Sequence, residues 1–288
     1  PLVSVSNEIM TETWFVFWLV LAAHCLLRPQ RSGLWGGAAI GLAVLTRPVG
    51  ALLLVAWLIT AWKQRESWRR VATVCAASFL VVLPWTLRNY RVHGAWPILS
   101  TQGGFIVAHS NALAPDWKKE IGWGTTREFL EQMPSELARD RYWWRQGLTF
   151  IAHHPMVYFR LALERFVRLG YFFRPDYNFW WMLVIPVGCI GIWQRGHRKD
   201  QLFITLFLYL SVLVFSFVLY GATRFRLPLE AFFILSAASG CHYLVARWGA
   251  PLAVRVAACS LVLNGLIDWQ DAWLRQSLLG LLRDLGMK

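Results

Sequence analysis

Acidic residues are scarce in this chain of 288 residues: 16 Asp and Glu stand against 29 Lys and Arg, and charged residues together make up only 16%. Cysteine is sparse too. Cys25, Cys75, Cys189, Cys241 and Cys259 all fall inside apolar runs without CxxC spacing, which argues against a disulfide framework and a zinc site and leaves them lipid-facing or packing residues. No solenoid period, low-complexity tract or heptad run appears, so repeat architectures drop out. A positively charged leader is missing as well: the chain opens PLVSVSNEIMTE, which reads as the middle of a protein whose N-terminal part lies upstream.

Apolar residues fill the space these absences leave. They reach 57%, with 18 Trp and 18 Phe, and the mean hydropathy is +0.42. The chain reads as an all-α polytopic membrane protein. Its formal charge of +13 could point to nucleic acid, but the cations sit in short clusters between apolar stretches. Membrane lipid or phosphate is the expected partner, and nucleic acid is not.

A hydrocarbon core needs roughly 20 apolar residues in a helix, fewer where the helix is short or broken. Segments 12–28, 34–47, 49–63, 71–87, 178–194, 202–221, 228–246 and 250–267 qualify, the second and third meeting in a tight hairpin at Thr46-Arg47-Pro48. The chain then divides into a four-helix part of a bundle (1–87), an extracytoplasmic loop with interfacial helices (88–177), C-terminal membrane helices (178–268) and a tail (269–288).

If the segments alternate, Arg28, Arg31, Lys63, Arg65, Arg69, Arg70, Arg195, Arg198, Lys199 and Arg247 share one side, which the positive-inside rule makes cytoplasmic. The opposite, outer side receives Glu8, Glu12, Arg47, the region from Arg88 to Tyr177, and Arg224 with Arg226. The unusual polar residues thus share one face.

Glu8 and Glu12, spaced i, i+4, lie on one side of a helical turn at the outer start of the first membrane segment. They suit a cation or acceptor site, or simply a helix start that favours negative charge. Arg47 at its hairpin tip offers a planar fork of donors to phosphate, or snorkels to the interface. From Ser135 to Phe173 aromatic residues alternate with Arg139, Arg141, Arg145, Arg160, Arg165 and Arg168, broken at His153-His154-Pro155. That pattern suits an interfacial helix, either an anchor or a lipid-capturing face. His24 and His242 read as packing residues, and Asp140 as a solvated loop charge.

The stretches SNEIMTETWFVFWLVLAA, GLWGGAAIGLAVLTRPVGALLL, VVLPWTLRNYRVHGAWPILSTQGGFIVAHSNA, IAHHPMVYF and TRFRLPLEAFFIL, in that order, resemble the bacterial members of the dolichyl-phosphate-mannose protein mannosyltransferase superfamily. These GT-C glycosyltransferases, of family 39 type, include relatives of protein O-mannosyltransferases and of the aminoarabinose transferases that modify lipid A. The resemblance runs through residues 4 to about 240. It implies a GT-C-like helix bundle in the bacterial inner membrane that moves a sugar from a polyprenyl-phosphate donor to a lipid, protein or glycan acceptor at the extracytoplasmic face.

By the same resemblance Glu12 matches an acidic position at the outer start of this helix, and Glu8 accompanies it as a catalytic candidate. Arg47 matches a Thr-Lys/Arg position facing the donor phosphate. Arg224 and Arg226 resemble an Arg-Tyr-Arg-x-Pro stretch, and with Arg88 complete the expected phosphate-binding set. Asn89, Ser100, Thr101, Gly103, Gly104 and Asn111 resemble a small polar cavity wall, in which the paired glycines allow close backbone approach to a ligand. The family's principal catalytic acid is expected upstream of Pro1. A divalent cation is the one cofactor left open. A non-catalytic subunit and a lipid-linked sugar transporter remain alternatives, the latter without the two matching halves such carriers show.

Overall fold

A computed structural model describes residues 11–28, 33–94, 101–111, 132–170, 181–195, 199–219 and 227–251, with short helical pieces at 254–255, 258–259 and 262. The elements among these residues are all helical. In chain order they are α1 (Thr11–Leu27), α2 (Gly33–Thr46), a 3-10 turn (Pro48–Gly50), α3 (Ala51–Lys63), α4 (Trp68–His93), α5 (Gly103–Asn111), α6 (Glu136–His153), α7 (Pro155–Gly170), α8 (Trp181–Arg195), α9 (Lys199–Phe217) and α10 (Leu227–Trp248).

Two of them, α4 and α10, are long and apolar enough to cross a membrane, whereas α1, α2, α3 with its 3-10 turn, and the apolar part of α9 are shorter. The expected segment at 250–267 falls largely outside the described residues. The centre of the bundle is a single apolar cluster of Phe15 and Leu19 from α1, Ile40 from α2, Trp57 from α3, Phe207 from α9 and Phe232 from α10. Each of these is almost fully buried. Around that centre α1 packs on α2 and α10, α2 on α4, α3 on α9, and α8 on α10.

Small residues set the closest of these contacts. A β-carbon on Gly37 of α2 would lie 2.4 Å from the Val74 carbonyl of α4. Ser78 uses the same approach, its hydroxyl donating to the Gly37 and Val74 carbonyls at 2.9 Å. Backbones this close are the packing mode of helices that gain little from apolar burial against lipid.

The two ends of the bundle are marked by ion pairs. At one end Glu12 meets Arg47. At the other, Arg70 reaches Glu66 at 3.1 Å and donates to the Leu26 and Arg28 carbonyls at 2.7 and 2.8 Å, capping the last turn of α1. Helices α1 and α2 are therefore antiparallel, whereas α2 and α4 run parallel, Gly33, Gly37 and Gly41 meeting Arg70, Val74 and Val81 in the same order.

Three expectations are corrected here. Helix α4 does not stop at the expected residue 87 but continues to His93, ending where Gly94 adopts a left-handed φ of 64°. Arg88 and Asn89 consequently lie on a helix and not in a loop. Proline inside an apolar helix removes one backbone bond without ending the helix. Second, Gly103 and Gly104 open helix α5 instead of forming a turn. Third, His24 and His242 lie exposed on α1 and α10 and pack into no core. The break at His153-His154-Pro155 falls where expected: α6 ends at His153 and α7 starts at Pro155.

Candidate functional site

Arg47 owes its position to its neighbours in sequence. As the residue before a proline it is pushed out of helical geometry, and its φ of −150° and ψ of 127° are extended. The hairpin tip then closes by Arg47 N–H donating to Ala43 O at 2.8 Å and Gly50 N–H to Arg47 O at 2.9 Å. The side chain crosses to the start of α1. There its Nη2 donates to the Glu12 carboxylate and, at 3.2 Å, to the Thr11 hydroxyl. Thr11 donates in turn to the other Glu12 oxygen at 3.2 Å.

Glu12 is 5% exposed, and the Arg47 Nε is buried without a hydrogen-bond partner among the described residues. One guanidinium nitrogen is thus committed to the acid and the threonine, while the Nε is enclosed by protein.

The other predicted site residues form two further groups with partners of their own. On α4, the exposed Arg88 lies over the Trp85 ring at 5.0 Å and donates weakly to Asn89 Oδ1 at 3.4 Å, Asn89 itself being buried. Around α5, the polar wall is already occupied by protein. Thr101 donates to Glu136 at 3.3 Å, and Gly104 N–H donates to Asp140 Oδ1 at 2.7 Å. A β-carbon at Gly104 would meet the Asp140 carbonyl at 2.2 Å, so the close approach that this glycine permits is to α6 and not to a ligand. Asp140, taken from sequence as a solvated charge, instead caps α5. Glu8, Ser100, Arg224 and Arg226 lie outside the described residues.

Asn111 leads to a residue whose role the sequence pattern concealed. Arg165 of α7 is 1% exposed, donating through Nη2 to Asn111 Oδ1 at 2.7 Å and to Ser110 O at 2.9 Å. Its Nη1 reaches Ser216 O at 3.3 Å, so one guanidinium serves the C-terminal carbonyls of both α5 and α9. Tyr158 donates to Phe217 O beside it, under the Arg165 charge 5.7 Å from its ring. Burial raises the Tyr158 hydroxyl above the ordinary phenol range, with Arg165 pulling the other way. The hydroxyl thus stays protonated and donating at neutral pH.

Position 165 was legible in principle. Tyr158, Leu161, Ala162, Arg165 and Leu169 fall on one helical stripe, and the buried face of α7 is that stripe. Glu230, also 1% exposed, was missed as well; it sits in the first turn of α10, where the helix end favours a carboxylate.

Beside this junction an apolar cavity of about 460 Å3 opens between α7, α9 and α10, with Leu163, Phe166, Leu208, Val212 and Phe233 among its walls. Neither Glu12 nor Arg47 lines it. Among the described residues no three His, Cys, Asp or Glu side chains gather as a metal site.

Compared with known proteins, the chain matches no family model, no curated sequence and no solved structure.

Proposed function

We propose that the chain is part of a multi-pass inner-membrane glycosyltransferase of GT-C type, which takes a sugar from a polyprenyl-phosphate donor and transfers it at the extracytoplasmic face. The observation that carries this reading is the junction of Glu12 and Arg47, 35 residues apart, at the end of the bundle assigned to the outer face. A leaving phosphate needs a fixed cation, and a fixed cation needs a counter-charge to hold its fork. In this reading Glu12 positions Arg47, whose part-exposed guanidinium donates to a phosphate oxygen. Glu230, buried at the same end of α10 that follows Arg224 and Arg226, is the acid nearest in sequence to the second phosphate-binding pair. The cavity beside α7 has the apolar walls that a polyprenyl chain requires.

Support for the membrane setting comes from what α4 leaves uncovered. Only 22% of its apolar window is buried, whereas the apolar core helix of a soluble protein would be covered. Phe79 and Leu80 in its middle are each 62% exposed, with Trp68 and Trp85 exposed towards its two ends. Apolar residues at mid-height between tryptophans match a lipid surface with headgroup belts.

The test uses the full-length chain in proteoliposomes with labelled donor, following release of polyprenyl phosphate and transfer of sugar. Arg47→Ala and Glu12→Gln are the probes. Turnover equal to the parent in both would remove the site assignment. Movement of labelled lipid across the bilayer without sugar transfer would favour a transporter instead.

A further inference from the structure

At the opposite end of the bundle from Glu12 and Arg47, a groove of about 900 Å3 opens where α3 gives way to α4. Leu58, Ala61 and Val71 form an apolar floor. Trp62 and Trp68, 79% and 74% exposed, stand at its edges with Lys63 and Arg65 between them in sequence. The groove is therefore greasy on the side that continues down the helices and cationic at the rim.

The turn that builds the rim is unusual in one residue. It closes with Glu66 N–H donating to Ala61 O at 2.9 Å and Arg65 N–H to Trp62 O at 3.1 Å, the paired bonds of a Schellman ending. Glycine normally takes the left-handed position of such an ending, because a β-carbon there crowds the carbonyl. Here that position is Arg65, with φ 52°. The backbone alone would favour glycine, so the arginine's contribution at this position must come from its side chain.

The charge around the groove is unbalanced. Glu66 is engaged by Arg70, and Arg70 is also committed to the end of α1. Lys63, Arg65 and Arg69 are exposed and make no ion pair among the described residues, Arg69 lying 6.0 Å over the Trp68 ring. Glu66, the acid in the groove wall, is thus taken up by Arg70, and the exposed cations beside apolar walls suit an anion with an apolar tail.

We propose that this groove binds the headgroup of an anionic phospholipid. Its phosphate sits between Lys63 and Arg65, the Trp62 and Trp68 rings lie at headgroup level, and the first acyl carbons cover the apolar floor. The proposal rests on the reading that the helices cross a membrane; it does not depend on sugar transfer.

Native mass spectrometry of the full chain, delipidated in neutral detergent, tests it by titration with phosphatidylglycerol against phosphatidylcholine of the same acyl chains. The parent is expected to hold phosphatidylglycerol preferentially, and each neutralised cation among Lys63→Gln, Arg65→Gln and Arg69→Gln to weaken it about fivefold. Arg65→Gly separates binding from folding: it is expected to unfold at or above the parent's temperature yet bind about fivefold more weakly. Equal binding of the two lipids, undiminished binding by Arg65→Gly, or full displacement of the lipid by an equal concentration of inorganic phosphate would each overturn the proposal. Alkaline carbonate extraction of the expressing membranes distinguishes the deeper failure. A chain released to the supernatant overturns the membrane reading itself, whereas a retained chain without lipid preference overturns only this inference.

Discussion

Arg165, in the middle of α7, donates to the amide oxygen of Asn111, the last residue of α5, at 2.7 Å. The same side chain reaches Ser216 near the end of α9, so three helices converge on one buried guanidinium. Carbonyls at a helix end carry partial negative charge and lack partners within the helix. A buried arginine at two such ends satisfies them without a carboxylate.

Arg165→Ala is therefore expected to lower stability by about 3 kcal/mol, since it strands carbonyls at two helix ends in an apolar setting. Arg165→Lys keeps the charge without the planar fork and is expected to recover part of the loss. Thermal unfolding in detergent reads both. A parent-like transition for the alanine variant would mean that other contacts hold the junction.

Tyr158 supplies a pH signature of the same junction. Its folded-state pKa is raised by burial, so the protonated hydroxyl stabilises the fold below the unfolded phenol value of about 10 and loses that effect as pH climbs through the folded value. Tyr158→Phe is expected to cost about 1 kcal/mol at neutral pH, and the gap from the parent should narrow in alkali. Unfolding curves across the alkaline range decide it; a constant gap would contradict the bond to Phe217.

If the chain transfers sugar as proposed, the Glu12–Arg47 pair predicts non-additive kinetics. Arg47→Ala is expected to lower kcat/KM for the donor about a hundredfold, and Glu12→Gln about tenfold by loosening the arginine. The double variant should be no worse than Arg47→Ala alone, because Glu12 acts through Arg47. Additive losses would instead give Glu12 an independent task.

Two glycines separate close packing from backbone strain. Gly104→Ala places a methyl group against the Asp140 carbonyl, 2.2 Å from the added carbon, and is expected to destabilise docking of α5 on α6 by about 2 kcal/mol. Gly94→Ala meets no neighbour and strains only its left-handed φ, at about 1 kcal/mol. Hydrogen exchange should show faster opening of α5 in the first variant and only local fraying of α4 in the second.

Much of the helix layout could be read from hydropathy. The expected segment 12–28 corresponds to α1, 34–47 to α2 and 49–63 to the 3-10 turn with α3, each within a few residues. The hairpin tip was readable because a residue before proline leaves helical geometry whatever surrounds it. The continuation of α4 past residue 87 to His93 was not, since Arg88, Asn89 and Arg91 mark by local rules an exit from the apolar segment and only neighbouring contacts decide whether the helix continues. The glycine pair was read as an opening for a ligand because glycine advertises close approach but not what approaches. On α7 the arginines were read together as one polar face, which hid the burial of Arg165.

Composition and periodicity by themselves determined that the chain is apolar and helical, and where the apolar segments form helices. They do so because burial preference and helical repeat are properties of neighbouring residues along the chain. Pairing across long separations was decided only by the tertiary structure: Glu12 with Arg47, Asp140 with Gly104, and Arg165 with two helix ends. A charge in the sequence carries a cost of burial, but the partner that offsets it can come from anywhere in the chain. Packing of the helices selects that partner.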